Sequence, residues 1–233
     1  MKTAAILQIR TDSTRLPGKA FLDVSGKTLI ERCIDNLQTL NQIYDKVAVV
    51  TTNRNIDDGI VSKCREYRMS VYRGSVENVL DRYAQTLENI EFKDIVWVSR
   101  LTGDNPFVVQ SLHSQILEAI KSMFVDHDVP RIISTRKKGI AKGLDVEIFN
   151  LACLKYAACN AVSRYDLEHV TPFMYKSSDI ITVGVEILQP DIYFQTKGFT
   201  IDNLDDWNEA CRLAPSFQVI NESIERVLQW KFL

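Results

Sequence analysis

Short apolar runs rich in β-branched residues alternate along this chain with longer segments in which apolar residues return every three or four positions. That alternation predicts βαβ units, an α/β fold with a mostly parallel central sheet flanked by helices. Residues 4–9 (AAILQI) predict a first strand, and residues 28–40 (TLIERCIDNLQTL) predict a helix. A second strand is expected at 46–51 and a helix from Ile56 to Tyr67. A short strand at 70–72 then leads through Arg73-Gly74-Ser75 into a helix from Val76 to Glu88, with Ser75 as its N-cap. Residues 94–99 (DIVWVS) are strongly apolar, as in a mid-sheet strand covered on both faces.

The second half is less regular. A helix is expected from Val109 to Met123, with strands at Arg131–Ser134 and Leu144–Phe149. Two helical segments flank Arg164–Glu168, residues 179–187 read as extended, and Phe199–Ile201 return to strand. The tail predicts helices at Asp205–Ala214 and Glu222–Trp230, while Pro130 and Arg136-Lys137-Lys138-Gly139 read as surface loop. No repeat or low-complexity linker divides the chain. We therefore expect one domain over 1–233 in which about 136–190 form a projecting subregion.

Composition narrows the class without naming a function. The chain is 45% hydrophobic and 25% charged, with 28 Lys+Arg against 30 Asp+Glu, ordinary for a soluble globular protein and without a nucleic-acid footprint. The apolar opening, Ala4 to Leu7, is cut off by Gln8 and Arg10 and is too short for a signal peptide or a membrane span. Cys33, Cys64, Cys153, Cys159 and Cys211 show neither zinc nor redox spacing. An odd thiol count favours a reducing compartment, so a cytoplasmic address is expected.

The chemistry gathers at Gln8–Lys19, QIRTDSTRLPGK, directly after the first strand. Ligands of open α/β sheets bind beyond the carboxyl ends of strands. A loop there carrying Arg10, Arg15 and Lys19, with Ser13 and Gly18 among them, can set cations and backbone amides around a polyphosphate. The segment lacks the earlier glycine and the following Ser/Thr of a Walker loop. Asp104 follows the apolar strand in a Thr-Gly-Asp-x-Pro turn, and Asp202 follows Phe199–Ile201. Carboxylates at strand ends suit Mg²⁺, although each could also serve only as a turn or N-cap residue. Asp145 and Glu147 alternate along a predicted strand and so share a face. Asn78, Asp81 and Arg82 could equally line a site or form a helix face with local ion pairing.

The loop resembles the cytidylyltransferase family of CMP-Kdo and CMP-acylneuraminate synthetases, most closely its spore coat polysaccharide biosynthesis protein F-like branch. Gln8, Arg10, Ser13, Arg15, Leu16, Pro17, Gly18 and Lys19 match that branch. Further matches follow in order: Arg73-Gly74-Ser75, Asn78 to Tyr83, Leu101 to Pro106, Gly143 to Glu147, Glu168 to Pro172, and Thr200-Ile201-Asp202 with Leu204-Asp205-Asp206. Asp12 departs from the pattern, which has glycine there. A carboxylate facing a triphosphate would repel it, so Asp12 should turn outward or reach a metal or an arginine.

The resemblance implies a Rossmann-like nucleotide-diphospho-sugar transferase fold and transfer of CMP from CTP to an acidic, Kdo-like or nonulosonic sugar, with release of pyrophosphate, for surface polysaccharide synthesis. It implies Mg²⁺ on Asp104 and Asp202, and nucleotide contacts from Gln8, Arg10, Ser13, Arg15, Lys19, Arg73, Ser75, Thr102, Gly103 and Asp104. Arg10, Arg15, Lys19, Asp104 and Asp202 form the implied catalytic set, and Asp145, Glu147 and His169 border the acceptor. A homodimer is implied as well, with about 140–190 reaching the partner. Two competing readings are a glycosyltransferase on the same sheet, whose paired Asp-x-Asp is missing at Asp104, and a non-catalytic nucleotide-binding homologue, which Asp12 would suit.

Overall fold

The computed structural model describes residues 1–135, 140–187, 198–218 and 230–232. Eight strands form one sheet in the order β3-β2-β1-β4-β6-β5-β7-β8: β1 Lys2–Gln8, β2 Lys46–Thr52, β3 Val71–Gly74, β4 Ile95–Thr102, β5 Arg131–Ser134, β6 Glu147–Asn150, β7 Ile181–Ile187 and β8 Trp230–Phe232. The first four are parallel neighbours. Beyond β4 the sheet changes character, with β6 antiparallel to β4 and β5, β7 parallel to β5, and β8 antiparallel to β7. The chain order reverses where β1 sits between β2 and β4, the position at which such sheets open a crevice.

Side chains alternate along each strand, so the sheet feeds two apolar cores. On one face Ala5, Leu7, Val49 and Trp97 meet helices α1 (Leu29–Leu40), α2 (Asp58–Glu66), α4 (Gln110–Met123) and α8 (Leu204–Leu213). On the other Ala4, Ile6, Val50 and Val98 meet α3 (Val79–Leu87), α5 (Leu151–Asn160), α6 (Arg164–His169) and α7 (Thr171–Lys176). α1 begins in a capping box: the Thr28 side chain accepts from the N3 backbone and Glu31 accepts from Thr28 N at 2.8 Å. As the sequence predicts, β4 is central, and Trp97, Val98 and Ser99 are fully buried.

Four expectations need correction. α3 is capped by Asn78, whose side chain accepts from Asp81 N, because Ser75 instead accepts from Asn78 N in the preceding turn. β6 starts at Glu147, since Gly143 at φ 94° and a Leu144 N to Ala141 O bond make residues 141–144 a turn. Asp145 therefore precedes the strand rather than sharing its face with Glu147. Phe199–Ile201 form no strand: Phe199 N donates to Lys142 O and Ile201 N to Asp104 O, two unrelated acceptors. Arg164–Glu168 are themselves helical, within α6. Of the expected Glu222–Trp230 helix, 222–229 lie outside the described residues and Trp230 opens β8; the expected loop at 136–139 also lies outside them.

Candidate active site

β1 and β4 end side by side, with Gln8 paired to Thr102. Above them lies a cavity of about 350 Å³ whose lining includes Gln8, Arg10, Ser13, Arg15, Lys19, Thr102, Gly103, Asp104, His169 and Asp202. Two glycines allow the backbone to close around it. Gly18 takes φ 69° and opens the single turn Lys19–Phe21 that points Lys19 inward. A Cβ on Gly103 would stand 2.4 Å from Ile9 Cγ1, so only glycine lets the Asp104 turn pass the end of β1.

The cavity has two walls, one from each face of the sheet. On the loop wall, Arg15 NH2 donates to Asp202 Oδ1 at 2.8 Å, Lys142 Nζ donates to Asp202 Oδ2 at 2.9 Å, and Lys19 Nζ lies 3.8 Å from Oδ1. Lys19 Nζ also donates to Ile201 O at 2.7 Å. Burial, at 8% exposure, pushes the Asp202 carboxyl upward, yet the bond and charge of Lys142 with the charges of Arg15 and Lys19 hold it below its ordinary value. The Ile201 N–H to Asp104 carbonyl bond joins the two acidic turns. Asp104 Oδ1 is buried without a hydrogen-bond partner. A carboxylate oxygen left so is costly unless a ligand or cation meets it.

On the helix wall, Arg10 NH2 donates to Glu168 Oε1 at 3.0 Å. The His169 ring packs against Tyr165 at 4.5 Å between centroids, tilted by 57°. Val170, a β-branched residue at φ 69°, makes the abrupt junction between α6 and α7 that leaves Glu168 and His169 at the cavity. Arg82 and Arg100 also line the cavity. Neither is marked as a site residue by the loop motif.

Four residues expected at the site lie outside the cavity lining. Arg73 donates to Thr52 O at 2.8 Å, Arg54 O at 2.6 Å and Asp58 Oδ1 at 2.7 Å, bracing the end of β3. Ser75 accepts from Arg82 and Asn78. Asp145 accepts from Gly143 N at 2.8 Å and borders a second cavity of about 20 Å³. Glu147 is buried behind the helix wall, where Arg100 NH1 at 2.7 Å, Tyr175 OH at 2.6 Å and Thr171 Oγ1 at 3.3 Å all donate to it. Asp12 lines the cavity but its Oδ2 accepts from Arg54 NH1 at 3.0 Å, and its φ is not positive. Behind it, the buried Asp57 accepts from Thr11 N at 2.7 Å and from Thr52 Oγ1, pinning the loop to the end of β2.

The family model for cytidylyltransferases matches residues 4–233. This chain belongs to the cytidylyltransferase family. It is thus a CTP-dependent nucleotidyltransferase by class. An uncharacterized protein of Methanocaldococcus jannaschii is 32% identical over 233 residues, spanning 99% of this chain and 90% of its own length. The spore coat polysaccharide biosynthesis protein SpsF of Bacillus subtilis is 32% identical over 117 residues, about half of each protein (49% and 48%). Among solved structures, a cytidylyltransferase from Leptospira borgpetersenii superposes with a TM-score of 0.78 at 23% identity, over 98% of both chains, and shares the Rossmann-like nucleotidyltransferase fold. Among the described residues no helix is long and apolar enough to cross a membrane.

Proposed function

We propose that this cytidylyltransferase transfers CMP from CTP to an anionic sugar, Kdo-like or nonulosonic, releasing pyrophosphate. The observation that carries the reading is the loop wall, where a contiguous cationic loop and two acidic turns face one cavity. Arg15 and Lys19 are suited to hold the β- and γ-phosphates and to stabilise the departing pyrophosphate, and Arg10 and Gln8 the nucleotide nearer β1. Catalysis would rest on positioning and charge stabilisation, with no covalent intermediate on the protein.

Mg²⁺ is the metal this donor set fits. The unpartnered Asp104 Oδ1 is a hard oxygen ligand, and Asp202 stands beside it. Among the described residues no group of three His, Cys, Asp or Glu could form an all-protein cage. Mg²⁺ at phosphate sites is commonly held by one or two carboxylates, with substrate phosphates and water supplying the rest. When bound, it would neutralise phosphate charge and lower the barrier to attack. Both oxygens of Asp202 accept hydrogen bonds, Oδ1 from Arg15 and Oδ2 from Lys142. Arg15 and Lys142 would then turn from Asp202 to phosphate oxygens as substrate enters.

Asp12 does not weigh against activity, because Arg54 draws its charge away from the loop. A cytoplasmic homodimer acting in surface polysaccharide synthesis completes the proposal, supported by the family resemblance. The test is a pyrophosphate-release assay with CTP and a panel of sugar acids. Release on adding one acid, and none with neutral sugars, is expected. Pyrophosphate-free consumption of a nucleotide sugar would replace this reading with a glycosyltransferase.

A further inference from the structure

Among the described residues the helix wall carries more positive charge than its ion pairs balance. Arg82, on α3, is 3% exposed, and its Nε and NH2 both donate to one neutral acceptor, the Ser75 carbonyl. Among the described residues its NH1 has no protein partner and its guanidinium forms no ion pair. Arg100 comes from the central strand β4 on the same face of the sheet. Its Nε donates to Gln8 Oε1 at 3.0 Å and its NH1 to Glu147 Oε2 at 2.7 Å, leaving NH2 unpartnered among the described residues. Arg10, the third guanidinium here, is matched by Glu168.

Burying an arginine without a counter-ion is strongly unfavourable, and a cavity that does so is poised for an anion. Glu147 faces Arg100 directly across β4 and β6, and Thr171 and Tyr175 hold Glu147 in turn. Arg100 is therefore fixed in orientation before any ligand arrives, and Arg82 is fixed by Ser75. Both line the cavity on the face of the sheet opposite Arg15, Lys19 and Asp202.

We propose that Arg82 and Arg100 form a second anion subsite on the helix wall, built for the carboxylate of the acceptor. Two spare guanidinium nitrogens from different elements suit a planar, two-oxygen group better than a single point charge would. The ligand's name rests on the transfer reaction proposed above. The subsite itself rests on the unmatched charge. The same wall could instead meet the nucleotide's α-phosphate, and the experiment separates the two sources.

Two variants are compared with wild type: Arg82→Gln, which keeps a donor for the Ser75 carbonyl, and the double change Arg100→Gln with Glu147→Gln, which removes both charges of the buried pair together. Calorimetry then measures binding of 3-deoxy-manno-octulosonate as the carboxylate probe, and of pyrophosphate and CMP as phosphate probes. The expected result is sugar-acid binding weakened at least about tenfold in both variants, with pyrophosphate and CMP held within about twofold. Sugar-acid binding unchanged in folded variants, or absent from wild type, overturns the proposal. Loss of CMP binding instead overturns the carboxylate assignment and makes the wall a phosphate site. Failure of wild type to release pyrophosphate would remove the transfer reaction alone, because the binding comparison needs no turnover.

Discussion

The two walls of the cavity solve one problem, gathering charge where a polyanion must sit, in opposite ways. The loop wall draws Arg15 and Lys19 from five consecutive residues and neutralises them with a carboxylate that is itself at the cavity, Asp202. On the helix wall, Arg10, Arg82 and Arg100 come from three elements, and Arg100 leans on a carboxylate buried behind the surface, Glu147. The loop wall's ion pairs lie at the cavity itself, while the helix wall is held in shape by a largely buried pair, Arg100 with Glu147. The lesson is that the same charge set on a loop is adjustable and on a sheet is preorganised.

The sharpest way to break this comparison is at the two anchoring networks. Glu147→Ala should leave Arg100 buried and unpaired, and cost about 3–5 kcal/mol of stability in urea unfolding. A cost near that of a surface pair would mean the helix wall is not locked. Lys19→Met should instead leave the fold nearly intact and lower turnover roughly 10²–10³-fold, the scale for one lost electrostatic stabiliser. Equal losses of stability from both changes would erase the distinction between the walls.

Glu31 offers a milder test beneath the loop wall, where it caps α1. Its pKa falls to about 2 from 4.5, chiefly through the Thr28 side-chain and backbone bonds, against burial and with help from Lys63. A depressed carboxyl stabilises above its unfolded value and loses that contribution as pH falls toward its folded one. Glu31→Gln should therefore cost about 1 kcal/mol at neutral pH, a difference that shrinks between pH 4.5 and about 2. A difference that does not change across that window would remove the charge from the cap. Smallest of all, Asp12→Gly should change CTP affinity by no more than about fivefold, as expected for an exposed ion pair. A larger tightening would mean that Asp12 faces the phosphates after all.

How much of this was legible follows the same division. The parallel half, β1 to β4 with α1 to α3, is written in local period and in the contiguous loop, and Arg15, Lys19, Asp104 and Asp202 meet as their motifs suggest. Of the helix wall, Arg10 and His169 were legible from their motifs, while the roles of Arg82 and Arg100 were not. Arg82 reads equally as an ordinary charged helix position, and nothing local marks Arg100, because its meaning comes from an antiparallel partner 47 residues on. Glu147 shows the same limit from the other side: its pattern says acidic and strand-borne, but only the β4–β6 register turns it from a candidate ligand contact into the anchor of Arg100. Arg73 failed for a local reason, since three acceptors at the end of β2 and the start of α2 capture its guanidinium.

The central claim is that Asp104, through its unpartnered oxygen, brings a divalent cation to the phosphates gathered by the loop wall. It is tested most directly by titrating CTP calorimetrically into wild type and Asp104→Asn, each with and without Mg²⁺. The account predicts that Mg²⁺ tightens CTP binding to wild type at least about tenfold and leaves the variant within about twofold. An Mg²⁺ enhancement of the same size in both proteins would contradict it.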